Sequence, residues 1–213
     1  MNDNLTDITM VIDRSGSMDG MMRGNEAQRA INRFIESQKE AAGDATLSLL
    51  QFDDELDWVH EAEAIESVGE YKLEPRHTTA LLDAIGTAIT HTGRRLANMP
   101  ESDRPGKVVL VVMTDGLENA SREYRRSTIA AMIKEQTDTY NWQFVYLGAN
   151  QDAIAVGGKM GVHTNKTATF AATGQGILRT MAVTSDKLAE YRSTGNDAAL
   201  EYNYRERAEL AKE

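Results

Sequence analysis

Three short stretches of this chain set oxygen-bearing side chains close together: Asp13-Arg14-Ser15-Gly16-Ser17-Met18, His77-Thr78-Thr79-Ala80 and Thr114-Asp115-Gly116. Carboxylates and hydroxyls are hard donors, the kind Mg²⁺ gathers into an octahedron at roughly 2.0–2.1 Å. Neutral hydroxyls from Ser15, Ser17 and Thr79 coordinate such an ion without cancelling its charge. An ion held mainly by hydroxyls and water stays electrophilic and favours one more anionic oxygen. Each stretch alone also fits a plain helix cap or turn, where Asp, Ser and Gly are common for local reasons. The chemistry therefore depends on whether the fold brings the three together.

Strand-like and helix-like segments alternate along the chain. Ile8 to Ile12 opens as a strand running into Asp13; Asp7 and Thr9 make it more polar than usual, which predicts one partly exposed face. Ala27, Ala30, Ile31, Phe34 and Ile35 recur at helical spacing, and Gly43 closes that helix. Leu47, Leu49, Leu50 and Phe52 form a second strand ending at Asp53-Asp54, read as a turn. Leu56 to Ile65 follows so closely that an antiparallel edge strand is expected. A second amphipathic helix carries Leu81, Leu82, Ile85, Ala88, Ile89 and Leu96, and Pro100 with Pro105-Gly106 marks a loop. Val108 to Met113 is apolar on both faces, as a central parallel strand is. Helix, strand (Phe144–Leu147), strand (Val162–Phe170) and helix (Leu178, Met181, Ala182, Leu188) complete the pattern. The predicted class is α/β, with one mostly parallel sheet, an antiparallel edge strand and helices on both faces. Functional groups of such sheets lie at the carboxyl ends of the strands, where Asp13 and Asp115 fall. Asn150 and Gln151, closing the fifth strand, are candidates for the same rim.

Composition narrows the function. The chain has 213 residues, long enough for one large domain with a substantial core. Its formal net charge of −10 disfavours nucleic acid and anionic membrane as partners and favours divalent cations. Cysteine is absent, which excludes disulfides, thiolate zinc sites and cysteine nucleophiles. The longest apolar run, Val108 to Met113, is far short of a membrane span, and Met1 to Asp7 has no basic leader. A cytoplasmic setting is the expectation. The ten methionines are scattered and read as core filler.

Taken together, the three stretches resemble the metal-ion-dependent adhesion site (MIDAS) of the von Willebrand factor A family. That pattern is Asp-x-Ser-x-Ser, a distant Thr, and a more distant Asp. Asp13, Ser15 and Ser17 match the first part, Thr79 the second and Asp115 the third; the resemblance spans about residues 5 to 160. It implies the Rossmann-like fold of that family and the metal residues Asp13, Ser15, Ser17, Thr79 and Asp115, with Asp13 and Asp115 often acting through water. The implied ion is Mg²⁺, with Mn²⁺ or Ca²⁺ as substitutes. The implied role is an interaction module that binds an Asp or Glu of a protein partner. The resemblance favours small intracellular bacterial or phage relatives, often paired with AAA+ ATPases or stress-resistance proteins. The family commonly has glycine just before the Thr, where His77 and Thr78 stand here, so Thr78 and Thr79 both remain open as the ligand. The domain is expected over 1–191, with 192–213 a polar extension carrying a weak helical stripe of Leu200, Tyr204, Ala208 and Ala211.

An enzyme is the alternative: metal-dependent phosphoryl hydrolysis with Asp13 as nucleophile. The haloacid-dehalogenase pattern wants a second Asp two residues on, where this chain has Ser15, and no obvious Lys follows in a matching loop; nucleotide binding is weaker still, with no glycine-rich phosphate loop. His77, Glu118 and Asn119 read as solvated loop residues beside the site.

Overall fold

The computed structural model describes residues 1–21, 25–149 and 152–212, with the backbone alone at 19–21. Six strands form one sheet: β1 (Asn2–Asp13), β2 (Asp44–Phe52), β3 (Leu56–Ala64), β4 (Pro105–Thr114), β5 (Gln143–Ala149) and β6 (Thr167–Phe170), in the order β3-β2-β1-β4-β5-β6. All neighbours pair in parallel except β3, which lies antiparallel on β2 as its short connection requires. The helices are α1 (Glu26–Glu40), α2 (Leu81–Ala97), α3 (Arg126–Tyr140), α4 (Ala153–Lys159), α5 (Gly174–Thr194) and α6 (Tyr204–Leu210).

Strand alternation divides the core in two. Ile8, Met10 and Ile12 point to the face covered by α1 and α5, while Val11 points to the face covered by α2, α3 and α4. The apolar stripe of α1 (Ala27, Ala30, Ile31, Phe34, Ile35) is buried against the first face. That of α2 (Leu81, Leu82, Ile85, Ala88, Ile89) is buried against the second. Met10, Met18, Met113, Met160 and Met181 fill both layers.

Several elements depart from the sequence reading. Asp7 and Thr9 are fully buried rather than exposed. Helix α2 supplies their partners: Arg95 Nη2 reaches Asp7 Oδ2 at 2.7 Å, and the Thr9 and Thr92 hydroxyls meet at 3.3 Å. Thr46 also donates to Asp7. Pro105-Gly106 starts β4 instead of lying in a loop, and β6 is shorter than the predicted last strand, with a 3-10 turn over Thr164–Lys166 before it. In the tail Arg192, Leu200, Tyr202 and Leu210 are buried, while Tyr204 is 86% exposed. The cause is a 3-10 turn (Asp197–Leu200) and a short helix in place of one continuous stripe. The tail lies along the outer edge of β6: Leu210 O accepts from Ala171 N at 3.0 Å, and Arg207 Nε donates to Thr167 O at 3.2 Å.

The strand order reverses between β1 and β4, so the connections leave to opposite sides of the sheet there. Such a switch point opens a crevice at the carboxyl ends of the strands. Asp13 ends β1, and Asp115 follows the last residue of β4.

Candidate metal centre

Asp13 is fully buried because it is still a strand residue, and its carboxylate is held at both oxygens. Oδ1 accepts the Ser15 amide at 2.7 Å, and Oδ2 accepts the Thr114 hydroxyl at 2.5 Å. The chain then turns through Ser15 and Gly16 into a 3-10 turn (Gly16–Met21), which sets the two serine hydroxyls 3.0 Å apart. Ser17 Oγ donates to Asp115 Oδ1 at 2.6 Å. The first and third stretches therefore meet directly.

Thr79, on the second stretch, is buried and reaches the same place. A Cβ built on Gly116 would lie 2.7 Å from Thr79 Oγ1 and 3.4 Å from Asp13 Oδ2. Only glycine leaves room there for the two oxygens to face each other. Thr78, by contrast, is exposed. The five residues Asp13, Ser15, Ser17, Thr79 and Asp115 thus converge, whereas Asn150 and Gln151 lie outside the described residues.

Two carboxylates crowded together, Asp13 fully buried and Asp115 half-buried, are costly to ionise. Burial pushes Asp115 up to about 6, with the negative charge of Asp13 adding to the effect. Burial also raises Asp13, against the hydrogen bonds from Thr114 and Ser15 that favour its anion. A hard divalent cation would relieve that penalty. Three neutral hydroxyls, two carboxylates and a glycine-made gap among them are a donor set such a cation fits.

The surrounding loop is more ordered than its sequence suggested. Glu118 accepts from the amides of Leu82, Ala120 and Ser121, capping the start of α2. Asn119 takes the Thr79 amide on Oδ1 and gives its own amide to Thr79 O. Asp83 accepts three successive amides from Arg122, Glu123 and Tyr124. These residues fix Thr79 against the loop that carries Asp115. Their polarity read as solvation because a hydrogen bond to distant backbone leaves no trace in local spacing.

A second acidic group stands nearby. Asp53, Asp54 and His77 bring possible ligand atoms within 4.8 Å of one another. Asp53 is fully buried, but Arg76 Nε lies 2.6 Å and Arg14 Nε 3.2 Å from its Oδ2. Two guanidinium groups already neutralise it, and a divalent ion at that point would meet their repulsion. We read this cluster as an ion-pair network.

A mostly parallel sheet with hydroxyl and carboxylate side chains gathered at its switch point is the arrangement that the three sequence stretches require. A family model of the von Willebrand factor type A domain matches residues 7–155, and the chain belongs to that family. Domains of this family typically mediate protein–protein interactions, commonly with a divalent metal at the MIDAS, and are generally interaction modules rather than enzymes.

Solved structures share the fold at low identity. Proximal thread matrix protein 1 of the mussel byssus matches with a TM-score of 0.63 and 13% identity, over 86% of this chain and 48% of that one. A second structure of the mussel protein has a zinc-occupied MIDAS motif. The SpaC pilus adhesin of Lactobacillus rhamnosus GG matches at 0.65 and 12%, over 89% of this chain and 30% of that one. The ArnB paralog VWA2 of Sulfolobus acidocaldarius matches at 0.53 and 16%, over 87% and 45%. The chain thus spans about half or less of the length of these proteins. No curated protein matches it. Among the described residues, no helix is long and apolar enough to cross a membrane.

Proposed function

We propose that this chain is a Mg²⁺-dependent interaction module that binds an Asp or Glu of a partner protein through an ion held by Asp13, Ser15, Ser17, Thr79 and Asp115. The observation that carries the reading is the 2.6 Å contact of Ser17 with Asp115, which brings the Asp-x-Ser-x-Ser turn onto the third stretch. Bound Mg²⁺ supplies an electrophilic centre able to accept one more anionic oxygen. The hydroxyls of Ser15, Ser17 and Thr79 leave its charge largely uncancelled. Asp13 is oriented by Ser15 and Thr114 and serves to aim its neighbours. The buried Thr79, beside Gly116, supports Thr79 over the exposed Thr78 as the ligand. A cytoplasmic setting belongs to the same proposal, as does an AAA+ ATPase or stress-resistance protein as partner, the latter by family analogy alone.

Titration calorimetry tests the metal. Wild-type protein should bind Mg²⁺ saturably and Asp115→Ala should not, with the same far-ultraviolet circular dichroism. Capture of partners from native lysate in Mg²⁺, repeated in EDTA, tests the interaction. Equal Mg²⁺ affinity in both proteins removes the site; equal capture in EDTA moves the interaction elsewhere on the surface.

A further inference from the structure

The second and first stretches are joined by a group that touches none of the proposed ligands. Asp53 Oδ2 faces Arg76 Nε and Arg14 Nε, and its Oδ1 accepts the Glu55 amide at 2.6 Å. The Asp53 carbonyl accepts the amide of Ala80 at 2.7 Å, one residue past Thr79. Arg14 lies between Asp13 and Ser15 in sequence and is itself buried. Its amide donates to Phe52 O at 2.8 Å, its carbonyl accepts from Arg76 N at 2.8 Å, and its Nη2 pairs with Asp57 at 2.6 Å. Gly16 N donates to His77 O at 3.1 Å. His77 holds a left-handed φ of 57°, and its Nδ1 lies 2.9 Å from Asp54 Oδ1. A non-glycine residue in that conformation persists only where its surroundings over-determine it.

We infer that Asp53 is a positioning residue of the metal centre: through Arg14 and Arg76 it locks the Thr79 loop against the Asp13–Ser17 turn, and so sets metal affinity without touching the ion. The inference rests on the proposed site. The alternative, that the network only stabilises the fold, predicts a different outcome. Outer partners that orient ligands change metal affinity by roughly 10–100-fold when removed. A purely structural group lowers the melting temperature and leaves the affinity of the folded protein alone.

The test compares Asp53→Asn and Arg76→Gln with wild type by Mg²⁺ calorimetry well below each melting temperature. Arg76 is 40% exposed, so its variant keeps the Arg14–Asp53 pair and the fold should survive. Arg192→Met serves as the structural control. Arg192 ties Gln38 O and Gly43 O together near the start of β2, away from the proposed ligands. Expected are a tenfold or greater loss of Mg²⁺ affinity in both network variants and faster amide exchange over 76–80 in EDTA. Arg192→Met should melt earlier with unchanged affinity. Wild type that takes up no Mg²⁺ removes the site and this inference with it. Wild type that binds, with Arg76→Gln folded and binding equally well, overturns the positioning role alone.

Discussion

Ser17 and Asp115, 98 positions apart in the chain, share a 2.6 Å hydrogen bond at the crest of the sheet. That bond lowers the tendency of Asp115 to hold its proton, yet burial and the charge of Asp13 win, leaving it near 6. The contact therefore joins two stretches and also marks the titration that metal must overcome.

From this follows a pH dependence of metal stabilisation. The folded carboxyl titrates near 6 and the unfolded one near 3.8, so the folded state holds the proton more tightly. Stability from this group is full below about 3.8 and is lost as pH rises through about 6. For a partly exposed group the loss is on the order of 1–2 kcal/mol. Mg²⁺ needs the anion, so the rise in melting temperature on adding Mg²⁺ should be larger at pH 7.5 than at pH 5. Thermal melts with Mg²⁺ and with EDTA check this. An equal rise at both pH values contradicts it.

Thr79 and Thr78 should separate cleanly. Thr79→Ala should weaken Mg²⁺ binding by about tenfold, and Thr78→Ala should change it less than twofold. Gly116→Ala should act like Thr79→Ala, because its Cβ would press on Thr79 Oγ1. Calorimetry on the three variants decides; a stronger effect at Thr78 exchanges the assignments.

Asp13 should not act as a nucleophile. Its side chain is buried, and both oxygens already accept hydrogen bonds from Ser15 and Thr114. Hydrolysis of p-nitrophenyl phosphate with Mg²⁺ should match buffer. A rate above buffer that disappears in Asp13→Asn would favour the hydrolase.

Removal of the chain after Thr194 should cost stability and spare the metal. The cut deletes the buried Leu200, Tyr202 and Leu210 and the acceptor of the Ala171 amide. Each large apolar side chain contributes about 1.5–3 kcal/mol, so the melting temperature should fall by about 10 °C or more. Mg²⁺ affinity of the folded fraction should remain at the wild-type value. Differential scanning calorimetry and metal titration measure the two effects; an unchanged melting temperature shows that the tail adds nothing.

The parallel sheet was legible in the sequence because periodicity survives burial: Val108 to Met113 reads as a central strand and is one. The convergence of Asp13, Ser15, Ser17, Thr79 and Asp115 was legible because strand ends of an α/β sheet share one edge. Asp7 and Thr9 misled, since polar residues in a strand read as a wet face unless their partners on α2, Arg95 and Thr92, are known. Helix α4 carries too short an apolar pattern to announce itself. The roles of Asp53, Glu118 and Asn119 were hidden for a related reason. Each acts through long-range hydrogen bonds or ion pairs, and no spacing rule encodes those.

The two borders of the sheet are closed in different ways. On one side the tail, through Leu210 and Arg207, occupies hydrogen-bonding groups at and just beyond β6. On the other, β3 carries Asp57, Glu61 and Glu63, and Ala62 interrupts it with a φ of 48°. Charged side chains and a local kink on an edge are what discourage a strand from another copy from zipping on. Both borders thereby disfavour sideways pairing with another copy, and the crest above β1 and β4, where the proposed metal residues gather, takes no part in either device.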